Sequence, residues 1–186
     1  MRLATESAAD SLSTILPGTF RIERGTISDY RALAHFHYAR GDPAAWAGIW
    51  RATYAGRSEI SDFKSDPRVV AVAVLSYPVP AHRVRDRVLG LTGPRYGAKL
   101  AFVNAHIRTI SRVIVHPQFR GLGLAAQLVR RVCDECPVRY VEAIAAMGEV
   151  HPFFERGGMV RMGEGYFLFD RSGGATEDTE NTENTE

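Results

Sequence analysis

The chain has 186 residues, of which 45% are hydrophobic and 24% are charged, as in an ordinary globular protein. This length supports one domain with a hydrophobic core, and no apolar run reaches the roughly 20 residues needed to span a bilayer. Because the first residues also lack the apolar stretch of a secretory signal, we predict a cytoplasmic protein without a membrane segment.

Charge is distributed unevenly along the chain. Residues 176–186 hold five acidic residues and no basic one, whereas the rest of the chain holds 23 basic and 16 acidic residues, a net charge of +7. Such a basic body suits an anionic ligand, either a nucleotide cofactor or nucleic acid. We predict a flexible leader over 1–19, one domain over 20–171 and a disordered acidic tail over 172–186.

The first half of the domain mixes predicted strands and helices. Thr26 and Asp29 have the spacing of a pair that caps a helix start. The apolar stretch 69–76 is nearly continuous, so we place it centrally in a sheet. The sequence leaves most of 79–99 without an assignment, and 101–107 fits a helix or an irregular segment. The predicted elements are a strand at 20–25, a helix to about 38, a short helix at 43–48, and strands at 49–54 and 69–76.

The second half has the clearest pattern. Residues 122–136 place apolar side chains at the spacing of one buried helical stripe, and this stripe includes Cys133 and Cys136. Two cysteines are too few for a disulfide framework or a zinc site, so we interpret both as core residues and predict no metal. The other predicted elements are a strand at 109–115, a strand at 138–145, a short helix at 151–156 and a hairpin at 159–162 and 166–170.

A glycine-bearing loop at 118–123 joins the strand at 109–115 to the long helix. The first amides of a helix lack intrahelical acceptors, and the helix dipole adds partial positive charge there, so the loop is suited to bind an anion. A phosphate-binding Walker loop would need Gly-Lys-Ser/Thr, which is absent here, and a dinucleotide fingerprint would need a third glycine where Ala126 stands. A purely structural turn is the remaining alternative for the loop alone.

The wider segment SRVIVHPQFRGLGLAAQLV resembles the acyl-CoA-binding motif of GNAT N-acetyltransferases, with Arg120, Gly123 and Ala125 at motif positions. Downstream, HPFFERGGMVRMGEGYFLF resembles the closing segment of that family. The resemblance implies an α/β fold with a mixed, mostly antiparallel sheet of about six to seven strands and helices on both faces. A narrower similarity, in FHYARGDP, VEAIAAM and HPFFERGGM, is to the acetyltransferase-like domain fused to some prokaryotic ABC-type ATPases, which adds a separate ATPase as a candidate partner. Because GNAT proteins often pair, the family resemblance adds a second copy of the chain as another.

The resemblance implies acetyl-CoA, or a related acyl-CoA, as donor and a primary amine as acceptor. Amides of the strand would pair with the pantetheine arm and amides of the loop would hold the diphosphate. Arg120 would add charge there or brace the loop. The donor-binding residues implied are Val113, Ile114, Val115, Gln118, Phe119, Arg120, Gly121, Leu122, Gly123, Leu124 and Ala125.

The catalytic residues are less directly indicated. Phe154 stands where the family often has a tyrosine that serves as the general acid, so water or Tyr166 is left for that role. Glu142 interrupts an apolar strand beside the cofactor strand, and we predict it as the general base, with a structural ion pair to an arginine as the alternative. His37 and Tyr38 are predicted to line the acceptor pocket.

Two other functions remain open at this point. A non-catalytic module that binds acyl-CoA or docks a partner is consistent with Phe154. The arginine-rich stretch from Arg83 to Arg95 allows a nucleic-acid binder, although no recognition motif accompanies it.

Overall fold

One seven-stranded sheet organises the computed structural model, which describes residues 18–38, 41–43, 45–56, 68–93, 95–145, 151–163 and 165–174. The strands lie in the order β1-β2-β3-β4-β5-β7-β6, and all neighbours are antiparallel except the parallel pair β4 and β5. The predicted mixed, mostly antiparallel sheet is therefore confirmed. The strands are β1 Gly18–Arg24, β2 Trp46–Gly56, β3 Arg68–Ser76, β4 Ile107–Val115, β5 Tyr140–Ile144, β6 Val160–Gly163 and β7 Tyr166–Asp170.

Helices cover both faces of the sheet. Alternate residues of β3 belong to two cores, with Ala71 and Ala73 in the core that contains the α4 stripe, and Val72 and Val74 in the core that contains α1. No helix among the described residues is long and apolar enough to cross a membrane. The helices are α1 Ile27–Leu33, α2 Arg83–Val88, α3 Tyr96–His106, α4 Leu124–Glu135 and α5 Phe153–Arg156, with 3-10 turns at Ala34–Phe36, Pro117–Phe119 and Arg171–Gly174.

The start of α1 follows the sequence pattern. The Thr26 side chain accepts from the Asp29 amide, and the Asp29 carboxylate accepts from the Thr26 amide at 2.7 Å, which completes the predicted capping box. The helix ends at Leu33 and continues as the 3-10 turn Ala34–Phe36, so it is shorter than predicted.

The predicted short helix at 43–48 is wrong. Trp46 already belongs to β2, where it pairs with Ser76 of β3, and its ring packs edge-on against Tyr30 at 5.1 Å. Pairing with the central strand and burial against α1 therefore outweigh the local preference for helix, as is common in short segments.

Two helices occupy the segment that the sequence left unassigned. α2 places the Arg85 guanidinium in the interior, fully buried against Glu142 of β5, and α3 buries Val103 against the same face of the sheet. Charged residues obscured the pattern because the interior here accommodates an ion pair. Residues 1–17 of the predicted leader and 175–186 of the predicted tail lie outside the described residues, and β1 begins at Gly18, inside the predicted leader.

Candidate active site

The strands β4 and β5 diverge partway along their length. Their parallel pairing begins at Ile107 with Tyr140 and ends at Ile110 with Ala143, whereas β4 continues to Val115 and stays paired with β3 on its other edge. The edge of β4 that faces β5 is therefore left without a strand partner among the described residues over 111–115. A strand edge of this kind presents backbone N–H and C=O groups that an extended ligand can pair with.

A β-bulge lies at this fork. Val74 pairs with Arg112 and Leu75 pairs with Ile110, so Ser111 is the extra residue on β4. The Ser111 hydroxyl lies 2.7 Å from the Ser76 hydroxyl and 3.3 Å from the Val74 carbonyl, which holds the bulge to the neighbouring strand. The bulge thus changes the direction of β4 where the two strands separate.

The carboxyl end of β4 leads into the glycine loop and then into α4. Gly121 and Gly123 have φ angles of +83° and +76°, a backbone region that side chains other than glycine rarely adopt. A Cβ at Gly121 would meet no atom of the described residues within 4 Å, and Gly123 caps α4 without a side chain. The loop therefore combines unobstructed space with the free amides of a twelve-residue helix, the arrangement that favours a bound phosphate.

Neighbouring side chains hold this loop in place. The Arg120 Nε donates to the Val115 carbonyl at 3.3 Å, which braces the loop against the end of β4. The His116 Nδ1 accepts from the Gln118 amide, and Phe119 packs in the core against Tyr54. Of the two roles predicted for Arg120, the bracing contact is observed.

A cleft of about 620 Å³ fills the space between the diverging strands. Eight of the eleven predicted donor-binding residues line it, whereas Gln118, Phe119 and Leu122 do not. His37 and Tyr38, predicted for the acceptor, line it as well, and Tyr38 is 75% exposed. The rest of the wall comes from Phe36, Ile110, Ser111, Arg112, Ala126, Ile144, Ala145, His151, Pro152, Phe153, Phe154 and Arg156.

Glu142 lies outside the cleft wall, in a closed network on the opposite side of β5 from Ala143. Its carboxylate accepts from the Arg85 guanidinium at 3.2 Å, from the Thr109 hydroxyl at 2.7 Å and from the Tyr166 hydroxyl at 3.0 Å, and the side chain is fully buried. The ion pair considered from the sequence is therefore present. The role of Glu142 as general base stays a prediction.

Tyr166 is also buried and also lies outside the cleft wall. Burial and the adjacent Glu142 carboxylate raise the pKa of its hydroxyl far above the usual range, and His82 stacks on its ring at 5.2 Å. Its role as general acid stays a prediction, whereas Phe154, at the position where the family often has tyrosine, is among the residues that line the cleft.

Sequence reasoning missed Ser111 and Arg112, which line the cleft from the middle of β4. The signal was present as two polar residues inside TISRVIV, an otherwise β-branched strand. It was not interpretable from the sequence because the bulge and the divergence of β5 are tertiary features.

Comparison with models of known protein families identifies the family of this chain. The model of the Acetyltransferase (GNAT) family matches residues 29–158. The chain therefore belongs to the GNAT acetyltransferase family.

Several solved structures are similar to this chain at low sequence identity. Arabidopsis thaliana NAA60 in complex with acetyl-CoA is 15% identical, with a TM-score of 0.50 over 82% of this chain and 99% of that chain. The Escherichia coli GNAT protein YhbS in complex with CoA is 14% identical, with a TM-score of 0.47 over 83% and 82%. The Drosophila melanogaster polyamine N-acetyltransferase is 13% identical, with a TM-score of 0.45 over 82% and 100%. No curated protein sequence matches the chain.

Proposed function

We propose that this chain transfers an acetyl group from acetyl-CoA to a primary amine within a complex of enzyme, donor and acceptor. The observation that carries the proposal is the cleft between β4 and β5. It has along one side a strand edge without a strand partner among the described residues, and the glycine loop lies at its end. An extended arm with a diphosphate at one end is complementary to both features.

The two parts of the donor would occupy different parts of the cleft. The pantetheine arm carries amides, and these would pair with the backbone of Val113, Ile114 and Val115 like an added strand. The diphosphate would accept from amides between Arg120 and Ala125 at the start of α4. These contacts would place the thioester at the fork, near the Ser111 bulge.

In the proposed reaction, the acceptor amine attacks the thioester directly at the fork. The acceptor loses a proton, its nitrogen forms a bond to the thioester carbon, and the carbon–sulfur bond breaks to release CoA thiolate, which takes up a proton. A backbone N–H of β4 directed at the carbonyl oxygen would stabilise the tetrahedral oxyanion, and such a donor is typically worth about 3–4 kcal/mol. Glu142 and Tyr166 are the residues predicted to transfer the protons, and His37 with Tyr38 would line the acceptor's path.

The donor site is tested by placing a charge in the loop. Asp and Asn both tolerate the positive φ of Gly121, so Gly121→Asp and Gly121→Asn differ mainly in charge. A carboxylate at about 4 Å from a phosphate costs roughly 4 kcal/mol at an effective dielectric constant of 20. We expect calorimetry to show CoA affinity at least about tenfold weaker in Gly121→Asp than in Gly121→Asn.

A control for the backbone change is available elsewhere in the chain. Gly90 also has a positive φ, of +66°, a Cβ there would meet nothing within 4 Å, and the residue does not line the cleft. Gly90→Asp should therefore bind CoA like the wild type. Equal CoA affinity in all four proteins, or no measurable affinity in the wild type, would overturn the proposed donor site.

A non-catalytic acyl-CoA-binding or partner-docking module is the second candidate. Phe154 favours it, because this residue lines the cleft and its side chain cannot donate a proton. Release of free thiol from acetyl-CoA in the presence of an amine panel separates the two functions. Tight CoA binding without thiol release on any amine would support the module and exclude the enzyme.

The remaining expectations are proposals as well. We propose a cytoplasmic location, and a second copy of the chain or a separate ATPase as macromolecular partners. Size-exclusion chromatography with light scattering tests the first of these partners directly.

A further inference from the structure

Arg112 is a charged residue of the cleft with no counter-ion in the part of the chain that the structure describes. Its Nη1 donates to the Ser111 carbonyl at 2.8 Å, while its Nε is buried and has no hydrogen-bond partner among the described residues. The described carboxylates instead pair with other cations, as Glu23, Asp29 and Glu142 do. A buried N–H group without an acceptor is unfavourable by an amount comparable to a lost hydrogen bond.

Two other arginines that pack into this protein have carboxylate partners, although the Nε of one of them, Arg85, also lacks an acceptor among the described residues. Arg51 pairs with Glu23 and Asp29, and the fully buried Arg85 pairs with Glu142. Arg112 differs from these two because it lines the open cleft. An anion bound in the cleft could therefore supply the counter-ion that Arg112 lacks among the described residues.

The position of Arg112 on β4 separates it from the predicted diphosphate site. It lies three residues before Val115, which corresponds to about 10 Å along a strand, and the loop is further on. Side chains alternate along a strand, so Arg112 shares a face with Ile114, which packs in the core that contains α1. Val113 and Val115 pack instead against the core on the α4 side.

The face that Arg112 shares is the one reached from α1. Phe36, His37 and Tyr38, which follow α1, line the same cleft, and they are the segment predicted to meet the acceptor. Arg112 therefore lies at the fork, between the proposed thioester position and the proposed path of the acceptor.

The charged side chains that line the cleft wall, among the described residues, are all basic. The wall includes Arg112, Arg120 and Arg156 together with two histidines, and no aspartate or glutamate among the described residues contributes to it. Among the described residues of the wall, a polycationic amine would meet no counter-charge, whereas an amine that also carries an anion would.

We propose that the acceptor is an amine that also bears an oxyanion, and that Arg112 binds that oxyanion. This inference rests on the proposed acetyltransferase function. The planar, permanently charged guanidinium can donate to the oxygens of a carboxylate or phosphonate, and such an anion would supply the counter-ion that Arg112 lacks among the described residues. Small amino acids and their relatives are the acceptor class that fits.

The experiment compares matched acceptors on the full chain. The panel contains amino acids, their carboxamides, the corresponding aminophosphonates, and polyamines, all assayed by thiol release from acetyl-CoA. The same compounds are added to the CoA-saturated protein in a thermal-shift measurement, so that binding is recorded without turnover. Arg112→Met is compared with Arg108→Met, because Arg108 lies on the same strand, stacks on Tyr77 at 4.1 Å and does not line the cleft.

In the wild type we expect at least one amino acid or aminophosphonate to exceed its uncharged counterpart by about 10- to 100-fold in kcat/KM or in affinity. The comparison of amino acids with aminophosphonates shows whether the site prefers a carboxylate or a phosphonate. Arg112→Met should remove this preference by raising the KM for the anionic acceptor. The affinity for CoA should stay within about twofold of the wild type. Arg108→Met should keep the preference.

Three results would overturn the inference. They are a preference for carboxamides or polyamines, an anion preference that survives in Arg112→Met, and the absence of any anion-dependent shift or turnover across the panel. Failure of the proposed function would look different, because the wild type would then fail to bind CoA or to release thiol with every amine. An enzyme that acetylates polyamines and ignores the anionic amines would contradict only the role of Arg112.

Discussion

The Tyr166 hydroxyl donates a hydrogen bond to the Glu142 carboxylate at 3.0 Å, and both side chains are fully buried. This contact joins the two residues predicted to act as general acid and general base. The carboxylate also accepts from Arg85 and Thr109, so its oxygens are engaged with three donors from α2, β4 and β7. The network therefore ties together the elements on one face of the sheet beside the cleft.

Glu142→Gln is expected to destabilise the protein. The substitution removes the counter-ion of the buried Arg85 guanidinium, and breaking a buried pair in this way typically costs about 3–5 kcal/mol. Urea unfolding measures the change in the free energy of unfolding. The double variant Glu142→Gln with Arg85→Gln removes both charges and should recover part of the loss, whereas additive losses would show that the two residues are not coupled.

The Tyr166→Phe variant distinguishes a catalytic role of Tyr166 from a structural one. A general acid typically contributes about 10²–10⁴ in rate, so the predicted role requires kcat to fall by that factor while the KM for acetyl-CoA stays unchanged. Because the pKa of Tyr166 is raised far above its ordinary value, the group stays protonated throughout the assay range and should not titrate in the rate profile. A fall in kcat smaller than about tenfold would leave Tyr166 only the role of a partner to Glu142.

The sequence predicted the donor half of the site well because that half is local. The strand, the glycine loop and the stripe of α4 follow one another along the chain, and each has a pattern with a direct physical cause. The same holds for the Thr26–Asp29 cap, whose two members are three residues apart.

The acceptor half could not be predicted in the same way. Arg112 and Tyr38 both line the cleft because a bulge, a diverging strand and a 3-10 turn bring distant parts of the chain to it. α2 was missed because its buried Arg85 has its partner 57 residues away, which makes a helix with an interior ion pair look like an exposed basic segment.

Asp29 gives the stability of α1 a dependence on pH. Burial alone would raise the pKa of this carboxyl, but hydrogen bonds from Thr26 and the Arg51 guanidinium together lower it below the ordinary value of 3.8. The contribution of the Asp29 carboxylate to the free energy of unfolding is therefore fully present above pH 3.8. It is lost as the pH falls through the lower pKa that this group has in the folded protein.

Asp29→Asn should accordingly reduce the free energy of unfolding by about 1–2 kcal/mol at pH 7. The difference from the wild type should shrink once the pH falls below 3.8. Urea titrations at several pH values measure this difference in the free energy of unfolding. A difference that stays constant over this range would show that the carboxylate charge does not contribute.

The two cysteines should be unreactive in the folded protein. Burial in the α4 core raises the pKa of the Cys133 thiol to about 12 and raises that of Cys136 as well. Since the thiolate is the reactive form, neither should be alkylated at about pH 8 until the chain unfolds. Mass spectrometry after iodoacetamide treatment, with and without denaturant, counts the modified thiols, and rapid labelling of the native protein would contradict the core assignment.

Gly157 fixes the distance between α5 and α4. Its φ of −79° suits any residue, but a Cβ there would lie 2.5 Å from the Cγ1 of Val129 and 3.1 Å from the Ala126 carbonyl oxygen. Gly157→Ala should therefore destabilise the protein by about 1–3 kcal/mol through overpacking. It should also weaken CoA binding, because α5 carries Phe153 and Phe154 into the cleft wall.

Gly97 in α3 is the matched control, because a Cβ there meets nothing within 4 Å. Gly97→Ala should stabilise the protein by about 0.5–1 kcal/mol, since alanine reduces the backbone freedom of the unfolded chain at a helical position. Urea unfolding and CoA calorimetry on both variants give the comparison. If Gly157→Ala had the same stability and CoA affinity as Gly97→Ala, the prediction would be wrong. The close packing of α5 on α4 at Gly157 would then contribute neither to stability nor to CoA binding.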